Sequence, residues 1–348
     1  MEETSILIVG YGNVGRGVRE AIKRNSDMGL AGIVTRSPQR VTDEIGKGVP
    51  VFSQSSIVDY ETARPLADVA ILCGGSKNDL PIQGPQFAKI YNTVDSFDNH
   101  DHISPYVDEE TGRQMPGYFA DMNNAALVFD NTSVISAGWD PGTFSLNRVL
   151  MDAFLPGSIP KGFYGLKEEG GLSMGHSDAI RGVSGVADAR QYTHAIPEAI
   201  KRVRNGENPN PSPGEMHWRE CQVVLKKDTP EERERVTDEI KNMENYFKPY
   251  ETTVDFVTQD ELHDKYSEMP HDGLVLAVGE TGKGNKAILE YGNQFESNPE
   301  GTANVLVACA RAAHRLNLEG TSGAKTMLDI PAAYLSSRSH AELLENFM

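Results

Sequence analysis

Two carboxylates, Asp98 and Asp140, stand where chemistry beside a bound cofactor would need them. Asp98 lies in Thr93-Val94-Asp95-Ser96-Phe97-Asp98-Asn99-His100, just past an expected strand, and Asp140 lies in Gly138-Trp139-Asp140-Pro141-Gly142, just past the last expected strand of its region. In an open α/β sheet, ligands bind outside the carboxyl ends of the strands, so both aspartates would face one crevice. Loop aspartates also serve as plain turn formers. Further along, Gly171-Leu172-Ser173-Met174-Gly175-His176-Ser177-Asp178 reads as a glycine-rich turn offering amides and hydroxyls. Met269-Pro270-His271-Asp272-Gly273 offers a histidine before a strand, and Arg219 opens another strand. Arginine near hydroxyls and amides suits a carboxylate, and aspartates suit an ammonium group. An amino acid is the economical substrate, although a hydroxy acid or a semialdehyde fits the same spacing.

The cofactor is read from Gly10-Tyr11-Gly12-Asn13-Val14-Gly15, which directly follows the apolar run Ile6-Leu7-Ile8-Val9. A strand that ends in G-x-G-x-x-G and opens a helix is a dinucleotide-binding arrangement. The first glycine permits the tight turn, the second lets backbone approach a pyrophosphate, and the third lets helix pack on strand. The helix N-terminus then presents N–H groups and a positive dipole end to the phosphates. Val14, Val18, Ala21 and Ile22 continue as a helical stripe, and Leu30-Ala31-Gly32-Ile33-Val34 supplies the second strand of a βαβ unit. That strand ends in Thr35-Arg36-Ser37, with Arg40 close behind, where an NAD site would carry an acid. A guanidinium and two hydroxyls suit a 2′-phosphate, so NADP is the expected cofactor.

The elements that must position these residues alternate from residue 5 to about 136. Val49-Pro50-Val51-Phe52, Asp68-Val69-Ala70-Ile71-Leu72, Tyr91-Asn92-Thr93-Val94 and Thr132-Ser133-Val134-Ile135-Ser136 are the further strands of an open parallel sheet. Ser104 to Asn123, containing Pro105, Asp108-Glu109-Glu110, Thr111-Gly112 and Pro116-Gly117, reads as a surface insertion. After Gly138 the strands lengthen and alternate in polarity, as in Glu220-Cys221-Gln222-Val223-Val224-Leu225 and Thr252-Thr253-Val254-Asp255-Phe256-Val257. Thr229-Pro230-Glu231-Glu232 reads as a capping box opening a helix whose stripe is Val236, Ile240, Met243 and Phe247. Residues 205–214 form a loop by composition, and Val305, Leu306, Ala308, Cys309, Ala312 and Leu316 mark a helix beyond about residue 302. The expected fold is α/β: a Rossmann-type dinucleotide-binding domain over residues 1–138, completed by 302–348, and an α+β substrate-binding and dimerisation domain over 139–301.

A chain of 348 residues with 39% hydrophobic and 24% charged content has ordinary soluble composition. No apolar run reaches the roughly 18 residues of a membrane span, and no secretory signal precedes the first strand. A cytoplasmic protein is the default expectation. The net charge of −17 argues against nucleic-acid binding. Cys73, Cys221 and Cys309 are too few and too far apart for a disulfide framework or a zinc site, so reduced, mostly buried thiols and no metal are expected.

Seven ordered segments raise the reading further. The glycine turn with Arg16, Thr93–His100, Gly138–Gly142, Gly175-His176-Ser177-Asp178-Ala179, Gln191-Tyr192-Thr193, Met269-Pro270-His271 and Arg311-Ala312-Ala313-His314-Arg315 together resemble the meso-diaminopimelate dehydrogenase family across nearly the whole chain. The resemblance implies a homodimeric, NADP-dependent enzyme that oxidatively deaminates the D-centre of meso-2,6-diaminopimelate to L-2-amino-6-oxopimelate and ammonia. In reverse the reaction makes diaminopimelate for lysine and peptidoglycan. It further implies that Asp98, Trp139 and Asp140 surround the D-amino centre, and that Thr193, Arg219, His271 and Asn298 bind the L-amino acid end, with Tyr164, Met174 and Gly175 also against substrate. Implied cofactor contacts are Gly10 to Gly15, Thr35, Arg36, Ser37, Cys73, Gly74, Gly75, Ser76, Ser96, Phe97, Asp98, Pro141, Gly142, Thr143, Phe144 and Ser145.

The chain departs from the family pattern at Tyr164, where tryptophan is common, at Met174, where glutamine is usual, and at Lys167-Glu168-Glu169, which looks inserted. Loss of an amide donor weakens a polar contact or admits less polar side chains. A broader NADP-dependent D-amino acid dehydrogenase on the same scaffold is therefore the alternative, with a non-catalytic NADP-binding sensor as a further reading from another class.

Overall fold

The first strand, Thr4–Val9, has side chains that alternate between two cores. Ile6 and Ile8 enter one, and Leu7 and Val9 enter the other. A strand buried on both faces belongs inside a parallel sheet with helices on each side. The computed structural model describes residues 3–56, 66–108, 111–208, 210–244 and 246–348, and bears this out. Seven strands are ordered Gly323–Lys325, Thr132–Val134, Asn92–Asp95, Val69–Leu72, Thr4–Val9, Met28–Thr35 and Val51–Ser53. Every pairing among them is parallel. The strand order reverses beside Thr4–Val9, which makes its carboxyl end the topological switch point where such sheets bind ligands.

On one face, helices Asn13–Lys23 and Asn298–Leu318 bring Val18, Ile22, Ala303, Leu306 and Ala310 onto Ile6, Ile8 and Ile33. On the other, helices Leu80–Ala88 and Tyr118–Val128 bring Leu80, Phe87, Tyr118 and Met122 onto Leu7, Val9 and Leu72. The fork Arg311 ties the C-terminal helix to the N-terminal βαβ unit: its Nε and Nη2 donate to Asp27 at 2.6 and 2.8 Å, Nη2 also to Asn25 at 2.7 Å, and Nη1 to the Leu335 carbonyl at 2.7 Å.

The chain divides into two compact units, the chain up to Leu146 together with Pro299–Met348, and Asn147–Asn298. These limits differ from the expected breaks after 138 and 301. Trp139 to Leu146 stay with the first unit, where Leu146 packs against the core cluster that holds Val94, Val134 and Ala137. The long helix expected beyond about residue 302 begins at Asn298.

The second unit holds a four-stranded mixed sheet, Gly171–Leu172, Val186–Ala195, His217–Leu225 and Glu251–Phe256, and a three-stranded antiparallel sheet, Lys286–Phe295, His271–Glu280 and Lys161–Tyr164. Val236 and Ile240 lie in helix Pro230–Lys241 and are buried on the first of these sheets; the expected stripe does not continue as helix, because the helix ends at Lys241, and Met243 and the buried Phe247 join the same core from the turns that follow.

Five local expectations are corrected. The parallel sheet does not end with Thr132–Val134, because Gly323–Lys325 adds an edge strand beside it. The surface insertion shrinks to the ribbon Tyr106–Val107 and Gln114–Met115, since helix Tyr118–Val128 follows and buries Tyr118 and Met122; Glu109 and Glu110 lie outside the described residues. Only half of the capping box at Thr229 forms: its hydroxyl accepts from Glu232 N–H, but the Glu232 carboxylate turns to Arg235 at 2.8 Å. The stretch after Gly170 is strand Gly171–Leu172, then Ser173 as N-cap of helix Met174–Arg181, and not a glycine turn. In the loop read over 205–214, Asn205 instead ends helix Pro197–Asn205, and Pro213 and Gly214 open the short helix Pro213–Met216; Pro209 lies outside the described residues.

Candidate active site

The dinucleotide cleft begins with steric facts about three glycines. Gly10 sits at φ +92, a region that side chains avoid, and a Cβ there would meet the Cys73 carbonyl at 3.2 Å. A Cβ on Gly15 would lie 2.2 Å from the Gly10 oxygen, so the helix can approach the strand only through glycine. Gly12 is different: a Cβ there would meet nothing within 4 Å. It is the N-cap of helix Asn13–Lys23 and supplies no side-chain oxygen to the helix's first N–H groups, which in any helix lack intrahelical partners. Open space in front of a helix N-terminus fits a pyrophosphate.

A cleft of about 350 Å³ lies there. Of the residues expected to contact the cofactor, Gly10, Tyr11, Gly12, Thr35, Arg36, Ser37, Cys73, Gly74 and Gly75 line it. Asn13, Val14, Gly15, Ser76, Ser96 and Phe97 lie outside that lining, as do residues 141–145. The rings of Phe97 and Phe144 are 1% and 0% exposed and serve the core. Arg40, Gln54, Asp79 and Gln83 also line the cleft. The second strand ends without an acid, but Asp79 brings a carboxylate to Arg36 from elsewhere: its Oδ1 is 3.6 Å from Arg36 Nη1, while Oδ2 accepts from Gly75 N–H at 3.1 Å. Asp79 comes from beyond another strand, 43 positions away, so no local pattern around Arg36 announces it. The Arg36 side chain remains mostly exposed, the condition for meeting a phosphate.

The first unit also carries the aspartates. Asp98 is exposed at the carboxyl end of Asn92–Asp95, and its N–H donates to Ser76 Oγ at 3.1 Å. Trp139 is buried, and Asp140 is half-buried, in a tight turn. The turn is closed by Thr143 N–H to the Gly138 carbonyl at 3.0 Å and Phe144 N–H to the Trp139 carbonyl at 2.8 Å. Gly142 is required in it, because a Cβ would fall 1.9 Å from the Gly138 oxygen.

In the second unit, strand Gly171–Leu172 gathers the residues expected at the L-amino acid end. Gly171 pairs with Thr193, and Thr193 pairs in turn with Arg219. The His271 ring rests on Gly171, where a Cβ would come within 2.6 Å of Nδ1. Asn298 Nδ2 donates to the Leu172 carbonyl at 3.4 Å, and its N–H donates to the Met269 carbonyl at 2.8 Å. Arg219 is 7% exposed, donates to Thr193 Oγ1, and lies 4.2 Å from the Tyr250 ring centroid. Its Nε has no hydrogen-bond partner, and among the described residues no ion pair includes it. Burial pulls its pKa below the ordinary guanidinium value.

Tyr164 accepts from Arg148 Nη2 at 2.7 Å and stacks on His217 at 5.3 Å. The sequence reading missed His217. Its Nε2 accepts from Tyr164 N–H at 3.0 Å, which requires an unprotonated nitrogen, and burial with the nearby Arg219 charge pushes its pKa down to about 3. Met174 and Gly175 open helix Met174–Arg181, half-buried and exposed respectively. Lys167-Glu168-Glu169 form a surface turn closed by Gly170 N–H to the Lys167 carbonyl at 3.0 Å. Among the described residues no group of three or more His, Cys, Asp or Glu is placed to hold a metal ion.

A parallel doubly wound sheet with this cleft at its switch point, carried with a second unit that holds a buried arginine, is the architecture of a nicotinamide-dinucleotide-dependent dehydrogenase acting on a small acid. A family profile described as diaminopimelic acid dehydrogenase C-terminal domain matches residues 138–297. The meso-diaminopimelate D-dehydrogenase of Lysinibacillus sphaericus is 46% identical over 353 residues, with 100% of both chains covered. The solved structure of C. glutamicum DAP dehydrogenase in complex with DAP superimposes with a TM-score of 0.88 at 36% identity, covering 100% of each chain. An engineered D-amino acid dehydrogenase bound to NADP+ gives a TM-score of 0.85 at 34% identity, covering 99% of this chain and 100% of that one. The chain belongs to the meso-diaminopimelate D-dehydrogenase family.

Proposed function

We propose that this protein catalyses the reversible oxidative deamination of the D-centre of meso-2,6-diaminopimelate, with NADP+ and water as co-reactants and L-2-amino-6-oxopimelate, ammonia and NADPH as products. The observation that carries the reading is Arg219. A guanidinium 7% exposed, with Nε unpartnered, is costly unless a carboxylate joins it. An amino acid carboxylate is such a group, with Thr193, His271 and Asn298 disposed around the same short strand to fix the α-amino end.

The cleft residues fit NADP. Gly12 and the helix N-terminus would take the pyrophosphate and Arg36 the 2′-phosphate. Bound there, the nicotinamide supplies a hydride acceptor. Asp98 and Asp140 hold the reacting ammonium group and accept its proton, and Trp139 packs beside them to orient the carbon. Fixing a substrate by both ends selects chirality and aligns the reacting bond.

The test crosses NADP and NAD with the meso, LL and DD isomers of diaminopimelate, following NADPH appearance, in the wild type and in Asp98→Asn and Asp140→Asn. Turnover of the meso isomer with NADP, lost in both variants, is expected. Absence of turnover would favour a non-catalytic NADP-binding sensor. Met174 favours a second reading, since a half-buried thioether at the first position of its helix donates no hydrogen bond. Preference for D-lysine or D-alanine over meso-diaminopimelate would establish that broader D-amino acid dehydrogenase.

A homodimer is part of the same reading. The ten-residue edge strand Lys286–Phe295, with Ile288 48% exposed, is a surface of the kind a second copy covers, and light scattering on the purified protein tests it. Cytoplasmic residence is part of the same reading, supported by the three cysteines standing as free thiols.

A further inference from the structure

Asp95 is a fully buried carboxylate for which the chemistry above has no use. It ends strand Asn92–Asp95, three residues before Asp98. Oδ1 accepts two backbone amides at once, Phe97 N–H and Ser136 N–H, each at 3.0 Å. Its own carbonyl accepts Ala137 N–H at 2.8 Å. Phe97 precedes Asp98, and Ser136 and Ala137 lead into Trp139-Asp140. Oδ2 accepts the Tyr118 hydroxyl at 2.8 Å, and the Tyr118 ring stacks on Phe97 with centroids 4.1 Å apart.

We infer that Asp95 is a positioning residue that clamps the Asp98 loop to the Trp139-Asp140 loop and so sets the spacing of the two aspartates. The inference rests on the reading of Asp98 and Asp140 as the groups that hold the reacting amine.

Three further observations support a clamp over a plain core polar residue. Ser136 stands at φ +53, a backbone conformation that non-glycine residues adopt only when surroundings impose it, and the Asp95 bond is attached to its N–H. Nearby, a Cβ on Gly138 would sit 3.9 Å from the Ser96 Cβ, so the two loops run side by side. Among the described residues no ion pair includes Asp95, so two amides and a phenol alone compensate its burial. Burial accordingly raises its pKa to about 6, opposed by the hydrogen bonds from Phe97, Ser136 and Tyr118. Carboxylate oxygens only accept, and that matches three donors converging from three elements.

The test compares Asp95→Ala, Asp95→Asn and Tyr118→Phe with the wild type, reading kcat, KM, NADPH affinity by fluorescence and melting temperature. A misplacement of about 1 Å costs on the order of 100-fold in rate, so Asp95→Ala is expected to lower kcat by about that factor with NADPH affinity within about threefold. Asp95→Asn keeps one oxygen for the two amides and is expected to recover at least about tenfold of the loss. Should Asp95→Ala fail to fold, Asp95→Asn and Tyr118→Phe carry the test, each losing one charge-matched contact and about 2- to 10-fold in kcat at unchanged NADPH affinity. Unchanged kcat in both, or kcat and NADPH affinity falling together, overturns the clamp. Asp98→Asn and Asp140→Asn measured alongside separate the two ideas. If they retain full kcat, the reading of the aspartates fails; if they lose it while the Asp95 variants do not, only the clamp fails.

Discussion

Substituting two glycines of one motif should give opposite phenotypes, because the structure assigns them different neighbours. At Gly15 an added methyl lands 2.2 Å from the Gly10 carbonyl oxygen, a backbone atom that no rotamer change can move. Overpacking of this kind costs about 1–3 kcal/mol or more. For a unit of this size each kcal/mol shifts the melting temperature by about 2–4 °C, so Gly15→Ala should melt roughly 2–12 °C lower. At Gly12 the methyl meets nothing within 4 Å, and φ −92 suits alanine. Loss of a tolerated N-cap and gain of chain stiffness are each about 0.5–1 kcal/mol and opposite in sign, so the melting temperature should hardly move. The methyl instead occupies the space before the helix N-terminus. Removing one charge-assisted contact of about 1.5–3 kcal/mol there weakens NADP(H) binding by about 10- to 150-fold. Thermal melts and NADPH titrations on both variants provide the assay. Wild-type NADPH affinity in Gly12→Ala, or a wild-type melt in Gly15→Ala, would refute the assignment.

Two other perturbations follow from named contacts. Arg36→Ala should raise the KM for NADP by about 10- to 150-fold and leave that for NAD nearly unchanged, a ratio read from initial rates with each coenzyme. Arg311→Met should destabilise the protein by about 3–5 kcal/mol, since Asp27 is then left without its fork partner. The Arg311 hydrogen bonds hold the Asp27 carboxyl below the usual carboxylate range. A depressed acid contributes stability above its unfolded pKa and loses it as pH falls through the lower folded value. The wild type should therefore lose stability over that acid interval, and Arg311→Met should lack this component when melting temperature is followed against pH.

Much of the site was legible in the chain. The glycine turn is visible because its constraint is local: φ +92 at Gly10 and the 2.2 Å approach at Gly15 leave no other residue type. The strands from Thr4 to Val134 were legible as apolar runs bounded by turns, and the loops bearing Asp98 and Asp140 follow from where those runs stop. The helical half of the stripe, Val236 and Ile240, was legible from its 3.6-residue period, but that period ran on through Met243 and Phe247, which lie in the turns after the helix ends at Lys241. Less visible were the ribbon inside residues 104–123 and the edge strand Gly323–Lys325, which are two and three residues long and carry no periodicity.

By itself the sequence determined the sheet class, the glycine turn, the guanidinium that follows the second strand and the loops that hold the two aspartates, because each depends on residues within a few positions of one another. Tertiary structure decided the rest. It brought Asp79 to Arg36, left Arg219 buried with an unsatisfied Nε, set His217 as an acceptor for Tyr164, and joined two loops through the Asp95 carboxylate. Those relations depend on which strands lie side by side. Strand order is settled by the packing of the whole sheet, and nothing in the neighbourhood of either partner records it.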